Sequence, residues 1–283
     1  MNDFKLSVII PCYQETENLR ILLPLLISKN NEPFLEIIIV DASEDYSTLR
    51  YLQKDFKFCR SCTGKSFIET KEDVHACRNA TEKNEIIVKY KKEERKERGF
   101  LMNKGASYAE GNIYFFLFAD AIPPDFYSTM ISYEFLDGST FLSFEHTYNT
   151  DIPALNMIAD AANYRLKNFD FFYGDHGIVV SRELFETING FPDIPIFEDA
   201  AFTKQANSLA KLKVIDKKII ISDRKYEEFG VYKVTSVNLL VTLLWKLHFN
   251  PTFIKKTYSK FLRKTPKDSF KEENSSRELS PQS

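Results

Sequence analysis

Leu35-Glu36-Ile37-Ile38-Ile39-Val40-Asp41 is a short, almost wholly apolar run, rich in β-branched residues, that stops on a carboxylate. Such a run predicts a strand buried on both faces. Three other stretches repeat the pattern: Leu6 to Pro11, Glu85 to Tyr90, and Ile113 to Phe118, the last running on to Asp120. Helical spacing separates them. Asn18 to Ser28 carries Leu19, Leu22, Leu23 and Leu26, and Pro24 predicts a kink or an early end there. Gly99 to Ala109 reads as a helix closed by Gly111. Strands alternating with helices predict a mainly parallel α/β sheet with helices on both faces. Ligands of such sheets bind beyond the carboxyl ends of the strands, where Asp41 and Asp120 both fall.

The second half is less regular. Asp125 to Leu136 and Pro153 to Phe169 read as helices around a strand at Thr140 to Glu145. A short strand at Gly177 to Ser181 precedes a helix at Arg182 to Ile188, ended by Asn189-Gly190. Ala200 to Leu209 is helical and Val214 to Ser222 strand-like. An apolar helix at Val234 to Phe249 and a basic one at Thr252 to Leu262 follow. The expected organisation is one domain over 1–262, with an inserted loop at about 50–95 and C-terminal helices at 234–262, then a disordered polar tail over 263–283.

Composition narrows the function. The chain has 283 residues, 43% of them hydrophobic, and its 25 Phe and 14 Tyr supply a core, so wholesale disorder is excluded. A net charge of -2 gives no support to a nucleic-acid partner. Four cysteines are too few for a disulfide scaffold. Met1-Asn2-Asp3-Phe4-Lys5 opens no basic-then-apolar leader, and no run of about 18 apolar residues occurs, so the expected location is cytoplasmic. Between Glu228 and Asp268 no acidic residue occurs, while Lys233, Lys246, Lys255, Lys256 and Lys260 accompany Leu239, Leu243 and Leu247. Peripheral contact through 231–264 with the inner face of the membrane is one expectation. The other is a packed helix that closes the core, followed by a solvated basic one. Cys59, Cys62, His75 and Cys77 have a spacing that could supply four zinc ligands, or could form an unliganded loop.

A carboxylate at a strand end can hold a metal that carries phosphates, or accept hydrogen bonds from a nucleotide. Asp120 serves equally well as a turn or cap residue ahead of Pro123-Pro124, and Asp41, Ser43 and Asp45 as a polar turn. The order of the pieces is more informative. Leu6-Ser7-Val8-Ile9-Ile10-Pro11-Cys12-Tyr13-Gln14-Glu15 resembles the opening strand and loop of family-2 glycosyltransferases of the GT-A fold. Ile38-Ile39-Val40-Asp41-Ala42-Ser43 resembles their second strand, and Met102-Asn103-Lys104-Gly105 leading to Phe118-Ala119-Asp120 the approach to their D-x-D motif. Phe191-Pro192 with Phe197-Glu198-Asp199 resembles their Glu-Asp pair. Arg98-Gly99-Phe100-Leu101-Met102-Asn103, Gly174-Asp175-His176, Gly190-Phe191-Pro192 and Ser222-Asp223-Arg224-Lys225-Tyr226 resemble the bacterial subgroup associated with arsenosugar biosynthesis.

That resemblance implies sugar transfer from a nucleotide-sugar donor to an acceptor hydroxyl, inverting and assisted by Mg²⁺ or Mn²⁺. It implies Asp199 as catalytic base and Asp120 as metal ligand. It places Pro11, Tyr13, Glu15, Asp41, Ser43, Asn103, Arg224 and Lys225 on the nucleotide sugar, and Gly174, Asp175, His176 and Glu198 near the acceptor. Two positions depart from the pattern. Phe118 stands where D-x-D has its first carboxylate, and Lys225 replaces an arginine. Phe118 keeps open a non-catalytic relative that only binds a nucleotide sugar. A nucleotidyltransferase would want a Gly- and Arg-rich loop after the first strand, and Cys12-Tyr13-Gln14-Glu15-Thr16 offers none. Arg98, at the end of the charged run from Lys89, is a weak candidate for a ligand contact.

Overall fold

The computed structural model describes residues 4–56, 68–69, 74–80 and 85–262. The chain divides into two compact units, with the boundary between Asp223 and Arg224. The first unit opens with β1 (Leu6–Cys12), α1 (Thr16–Ser28), β2 (Phe34–Asp41) and α2 (Ser47–Lys54). Then come β3 (Ile68–Glu69), β4 (Val74–Ala80), β5 (Glu85–Lys92), α3 (Arg98–Ser107) and β6 (Ile113–Phe116). After them come β7 (Ala121–Ile122), α4 (Tyr127–Leu136), β8 (Phe141–Tyr148) and α5 (Pro153–Phe169). A single 3₁₀ turn (Gly174–His176) precedes β9 (Ile178–Ser181), α6 (Arg182–Ile188), α7 (Glu198–Leu209) and β10 (Lys213–Ile221).

The strands form one sheet in the order β3-β4-β5-β2-β1-β6-β9-β8-β10-β7. At its centre β5, β2, β1 and β6 are parallel. Every residue of β1 and β2 is buried, as their unbroken apolar runs require of a sheet covered on both faces. The flanks are mixed: β9 runs antiparallel to both β6 and β8, and β4 antiparallel to β5. Part of the stretch expected as an inserted loop is therefore α2 and the β3–β4 edge. His75 and Cys77 fall within β4, whereas Cys59, Cys62 and the tail over 263–283 lie outside the described residues. Helix α1 runs through Pro24 without ending. Burial of Leu19, Leu22, Leu23 and Leu26, each worth about 1.5–3 kcal/mol, outweighs the roughly 3 kcal/mol cost of an internal proline.

One charge sits inside the sheet. Glu36 is fully buried and takes Lys89 Nζ at 2.6 Å, Ser7 Oγ at 2.5 Å and the Glu110 N–H at 2.8 Å. These partners offset the desolvation that a lone buried carboxylate would suffer. The knot lies toward the amino ends of β1 and β2, which leaves their carboxyl ends for the site.

The second unit contains α8 (Arg224–Phe229), α9 (Val231–Lys246) and α10 (Pro251–Phe261). Asn250 caps α10 by accepting the Thr252 N–H at 2.8 Å, with Pro251 in the first turn. In α9, Val234, Val237 and Val241 are buried while Tyr232, Leu239 and Leu243 are exposed, as is Leu247 just past its end. No helix of the described residues is long and apolar enough to cross a membrane.

Candidate active site

The carboxyl ends of β2, β1 and β6 lie side by side, with Cys12 paired to Asp41 and Ile9 to Phe116. Burial pushes the Cys12 thiol well up, and the charges of Asp41, Glu15 and Asp120 add to the push. Three predicted carboxylates thus converge on the end of β1. Asp41 is sealed from solvent and occupied by its own surroundings. Its Oδ1 accepts the Ser43 N–H at 2.8 Å and the Ser43 hydroxyl at 2.5 Å, and its Oδ2 accepts Tyr90 Oη–H at 3.1 Å. Ser43 Oγ in turn accepts the Gln14 N–H at 2.7 Å, tying the loop after β1 to the loop after β2. Glu15 Oε2 accepts from Asn18 at 2.5 Å at the start of α1. Pro11 is buried within β1, whereas Tyr13 is exposed, with Lys96 Nζ 4.5 Å above its ring and paired to Glu44 at 2.9 Å.

A second cluster forms where α7 begins. Phe197 takes the left-handed conformation at φ 64° and turns the chain into Glu198-Asp199, a strained choice for a bulky residue. Asp199 is buried, with Oδ2 accepting the Gly174 N–H at 2.8 Å and Oδ1 the Ala200 N–H at 2.7 Å. Burial first, then the neighbouring Glu198 charge, push its carboxyl up to about 6, against the opposing pull of Arg98 and the two N–H donors. Arg98 Nε stands 2.8 Å from Glu198 Oε1, and its Nη2 3.9 Å from Asp199 Oδ2. The same guanidinium lies 4.8 Å over the Phe118 ring. A Cβ on Gly174 would stand 2.5 Å from Phe118 Cζ and 3.3 Å from Asp199 Oδ2, so any other residue here would have to displace the Phe118 ring.

The aromatic core holds this cluster in place. Phe191 stacks on Phe202 of α7 at 4.3 Å and meets Phe116 of β6 edge-on at 4.8 Å. Asn103 of α3 clamps the Phe191 backbone from both sides, donating to its carbonyl and accepting its N–H, each at 2.8 Å. The amide predicted to touch the donor is thus engaged with the turn ahead of α7.

Behind Gly174 the chain turns inward. His176 is fully buried, and its Nδ1 donates to the Phe144 carbonyl at 3.0 Å. Its Nε2 lies 3.0 Å from Nδ1 of His146, a buried residue of β8. Burial lowers both imidazoles, His176 to about 4, so both are neutral at pH 7. Burial also acts to raise the Asp175 carboxyl, but His146, His176, Arg165 and Arg98 together hold it below its usual value. Gly174 therefore meets Asp199, while Asp175 and His176 belong to an interior group.

The structure brings together Pro11, Tyr13, Glu15, Asp41 and Ser43 at two strand ends, and Gly174, Glu198 and Asp199 at the start of α7. Arg224 and Lys225 belong to the second unit, where Lys225 Nζ donates to Tyr258 Oη at 2.5 Å. Arg98, Phe118 and His146 are the residues whose place sequence reasoning underrated. Arg98 closes a run of mixed charge that reads as solvated surface, and Phe118 reads only as a missing carboxylate. His146 left a fainter trace, one polar residue among several in β8.

Among the described residues Asp120 joins no group of three His, Cys, Asp or Glu side chains close enough to grip an ion. It offers one partly buried carboxylate beyond β6. Mg²⁺ is typically held by one or two carboxylates together with substrate phosphates, so Asp120 fits an ion that a diphosphate completes, not a preformed cage.

No family model and no curated protein matches the chain. Solved structures do. The chain is similar to S. aureus TarS 1–349 in complex with UDP-GlcNAc, at 19% identity and a TM-score of 0.55, covering 92% of this chain and 72% of that one. It is also similar to the mannosyltransferase PcManGT from Pyrobaculum calidifontis in complex with GDP-Man and Mn²⁺. There the identity is 17% and the TM-score 0.54, covering 98% of this chain and 81% of that one. At such identities the likeness establishes the fold, which is α/β and of the GT-A type.

Proposed function

We propose that the chain is an inverting, nucleotide-sugar-dependent glycosyltransferase of family 2, with Asp199 as its base. The observation that carries this is the Asp199 carboxylate, buried at the start of α7 and raised to about 6. A carboxylate so raised stays mostly ionised at pH 7 yet is a better proton acceptor than an ordinary aspartate. The nucleotide sugars bound by the two structural neighbours support the donor class. The order of the motifs supports family 2 and, within it, the arsenosugar-associated subgroup.

Transfer breaks the anomeric C–O bond of the donor through an oxocarbenium-like state. The acceptor hydroxyl attacks from the opposite face, Asp199 takes its proton, and the anomeric centre inverts. Glu198 and Arg98 keep Asp199 between a like charge and a counter-charge, which tunes its basicity without neutralising it. Asp41 and Ser43 hold the loops after β1 and β2 in register for the nucleotide. A Mg²⁺ or Mn²⁺ ion held by Asp120 and the diphosphate would neutralise charge on the leaving group. Asp199→Asn is the test. Turnover should fall by at least about a hundredfold, the lower bound for lost general-base assistance, with donor affinity and melting temperature little changed. Near-normal turnover in the folded variant removes Asp199 from the chemistry. A wild type that binds a nucleotide sugar but never transfers it favours the binding-only reading, which Phe118 motivates.

The partner reading extends to α9 and α10. Tyr232, Leu239, Leu243 and Leu247 are 89%, 71%, 53% and 60% exposed and recur at spacings that share one helix face. The charges from 229 to 267 are exclusively basic. An anionic bilayer matches both features, the leucines entering the interface and the lysines meeting headgroups. The chain should float with phosphatidylserine vesicles and not with phosphatidylcholine ones, and Leu239→Glu with Leu243→Glu should abolish flotation. Equal flotation with both vesicle types contradicts the anionic-headgroup reading, and no flotation of the wild type, or flotation of the double variant, contradicts a membrane role for these leucines.

A further inference from the structure

His146, Asp175 and His176 come from two separate elements and present one ligand atom each within 4.8 Å of one another. His146 is 1% exposed and His176 0%. Each is held by a neighbour that leaves a ring nitrogen facing the group. The Phe144 carbonyl can only accept, so His176 carries its proton on Nδ1 and turns the Nε2 lone pair toward His146. Asn163 clamps the His146 backbone, accepting its N–H and donating to its carbonyl, both at 2.9 Å. The Phe144 carbonyl on the His176 ring is backing of the kind that orients a metal-ligating imidazole, while Asn163 fixes the stretch of β8 backbone that carries His146.

As a purely hydrogen-bonded group the cluster is incomplete. Asp175 Oδ1 is sealed from solvent with no hydrogen-bond partner, and such an atom beside two facing ring nitrogens calls for an explanation. Nitrogens bound to one cation at about 2.1 Å stand about 3.0 Å apart at a right angle and about 3.4 Å apart at the tetrahedral angle. The observed 3.0 Å lies within that interval.

We infer that His146, Asp175 and His176 form a metal site, separate from Asp120, for a borderline transition cation of the Zn²⁺ or Co²⁺ class. Two imidazoles and one carboxylate suit such cations and not Mg²⁺ or Ca²⁺, which favour oxygen. Local charge argues the same way. Arg165 and Lys218 act on His146, and Asp175 is the one carboxylate of the group, so binding has to come from nitrogen donation and not from a negative field. Binding needs no net loss of a proton, because His146 can shift its proton from Nδ1 to Nε2 as the cation takes the Nδ1 lone pair. Three protein ligands would leave the fourth position of a tetrahedral shell to water. The ion would pin the Gly174–His176 turn to β8 and thereby steady the Gly174 N–H that holds Asp199. The site stands on its own residues and does not depend on the glycosyltransferase reading.

The test uses the full chain, stripped of metal and titrated with Zn²⁺ and, in parallel, Co²⁺. One ion per chain should bind, with a rise in melting temperature and a visible Co²⁺ spectrum that Mg²⁺ does not displace. Asp175→Asn keeps the shape of the side chain, and it should weaken Zn²⁺ by at least about tenfold, the least that even an outer-shell partner costs. His146→Gln should weaken it likewise, whereas Asp120→Asn should bind as the wild type does. No saturable Zn²⁺ binding by the wild type overturns the inference, leaving a hydrogen-bonded pair. Unchanged affinity in a folded Asp175→Asn, or loss of the ion in Asp120→Asn, overturns it as well.

Discussion

Asp41 and Asp199 are both buried aspartates that accept backbone N–H groups, and the turn after β2 and the turn into α7 use them in opposite ways. Around Asp41 every partner is a donor: the Ser43 N–H, the Ser43 hydroxyl and the Tyr90 hydroxyl. These bonds tie the end of β2, the loop after it and β5 together. Around Asp199 two backbone donors are opposed by burial and by the adjacent Glu198 charge, and the carboxyl rises to about 6. Burial alone therefore does not mark a reactive carboxylate. At Asp199 the adjacent Glu198 charge adds to burial.

The largest effect expected from this contrast is that of Asp199→Asn on turnover, about a hundredfold or more with stability nearly intact. Asp41→Ala should do the reverse. It takes the buried acceptor away from the Ser43 N–H and hydroxyl, and each such loss costs about 1–3 kcal/mol. Urea unfolding should show that loss, with turnover at saturating donor less affected. Turnover abolished at unchanged stability would put Asp41 on the chemical side. Gly174→Ala should fall between the two. Its methyl group meets Phe118 at 2.5 Å, and a displacement of about 1 Å near a reacting group costs up to about a hundredfold in rate. Full activity in Gly174→Ala would show that the Gly174 N–H does not position Asp199.

The strand ends of this comparison were legible in the sequence and the turn into α7 much less so. Unbroken apolar runs mark β1, β2 and β6, and their ends point to Asp41 and Asp120 without further help. The same runs say nothing of direction. Burial on both faces is the same for a parallel and an antiparallel neighbour, so β9, reversed against β6 and β8, and β4, reversed against β5, were invisible. Read on residues alone, Glu198-Asp199 is an acidic helix start favoured by the macrodipole. Only the motif order marks it as a site. Arg98 was hidden by its neighbours, because the run from Lys89 looks like solvated charge, yet its guanidinium reaches Glu198, Asp199 and the Phe118 ring.

The smallest effect expected is on the pH profile, and it separates the two aspartates without altering the fold. With Asp199 near 6, its ionised fraction drops about tenfold between pH 7 and pH 5, and kcat/KM should follow it. The sign for stability is opposite. Asp199 has a higher pKa folded than unfolded, so the native chain binds more protons between about pH 4 and 6, and its carboxyl favours folding more as the pH falls through that window. The buried imidazoles of His146 and His176 are lowered, not raised, and push the other way over much of the same range. The clean measurement is therefore the difference between wild type and Asp199→Asn. The wild type should gain stability relative to the variant on going from pH 7 to pH 5 while losing activity. If the activity of the wild type stays flat down to pH 5, or the stability difference does not change with pH, Asp199 titrates as an ordinary aspartate.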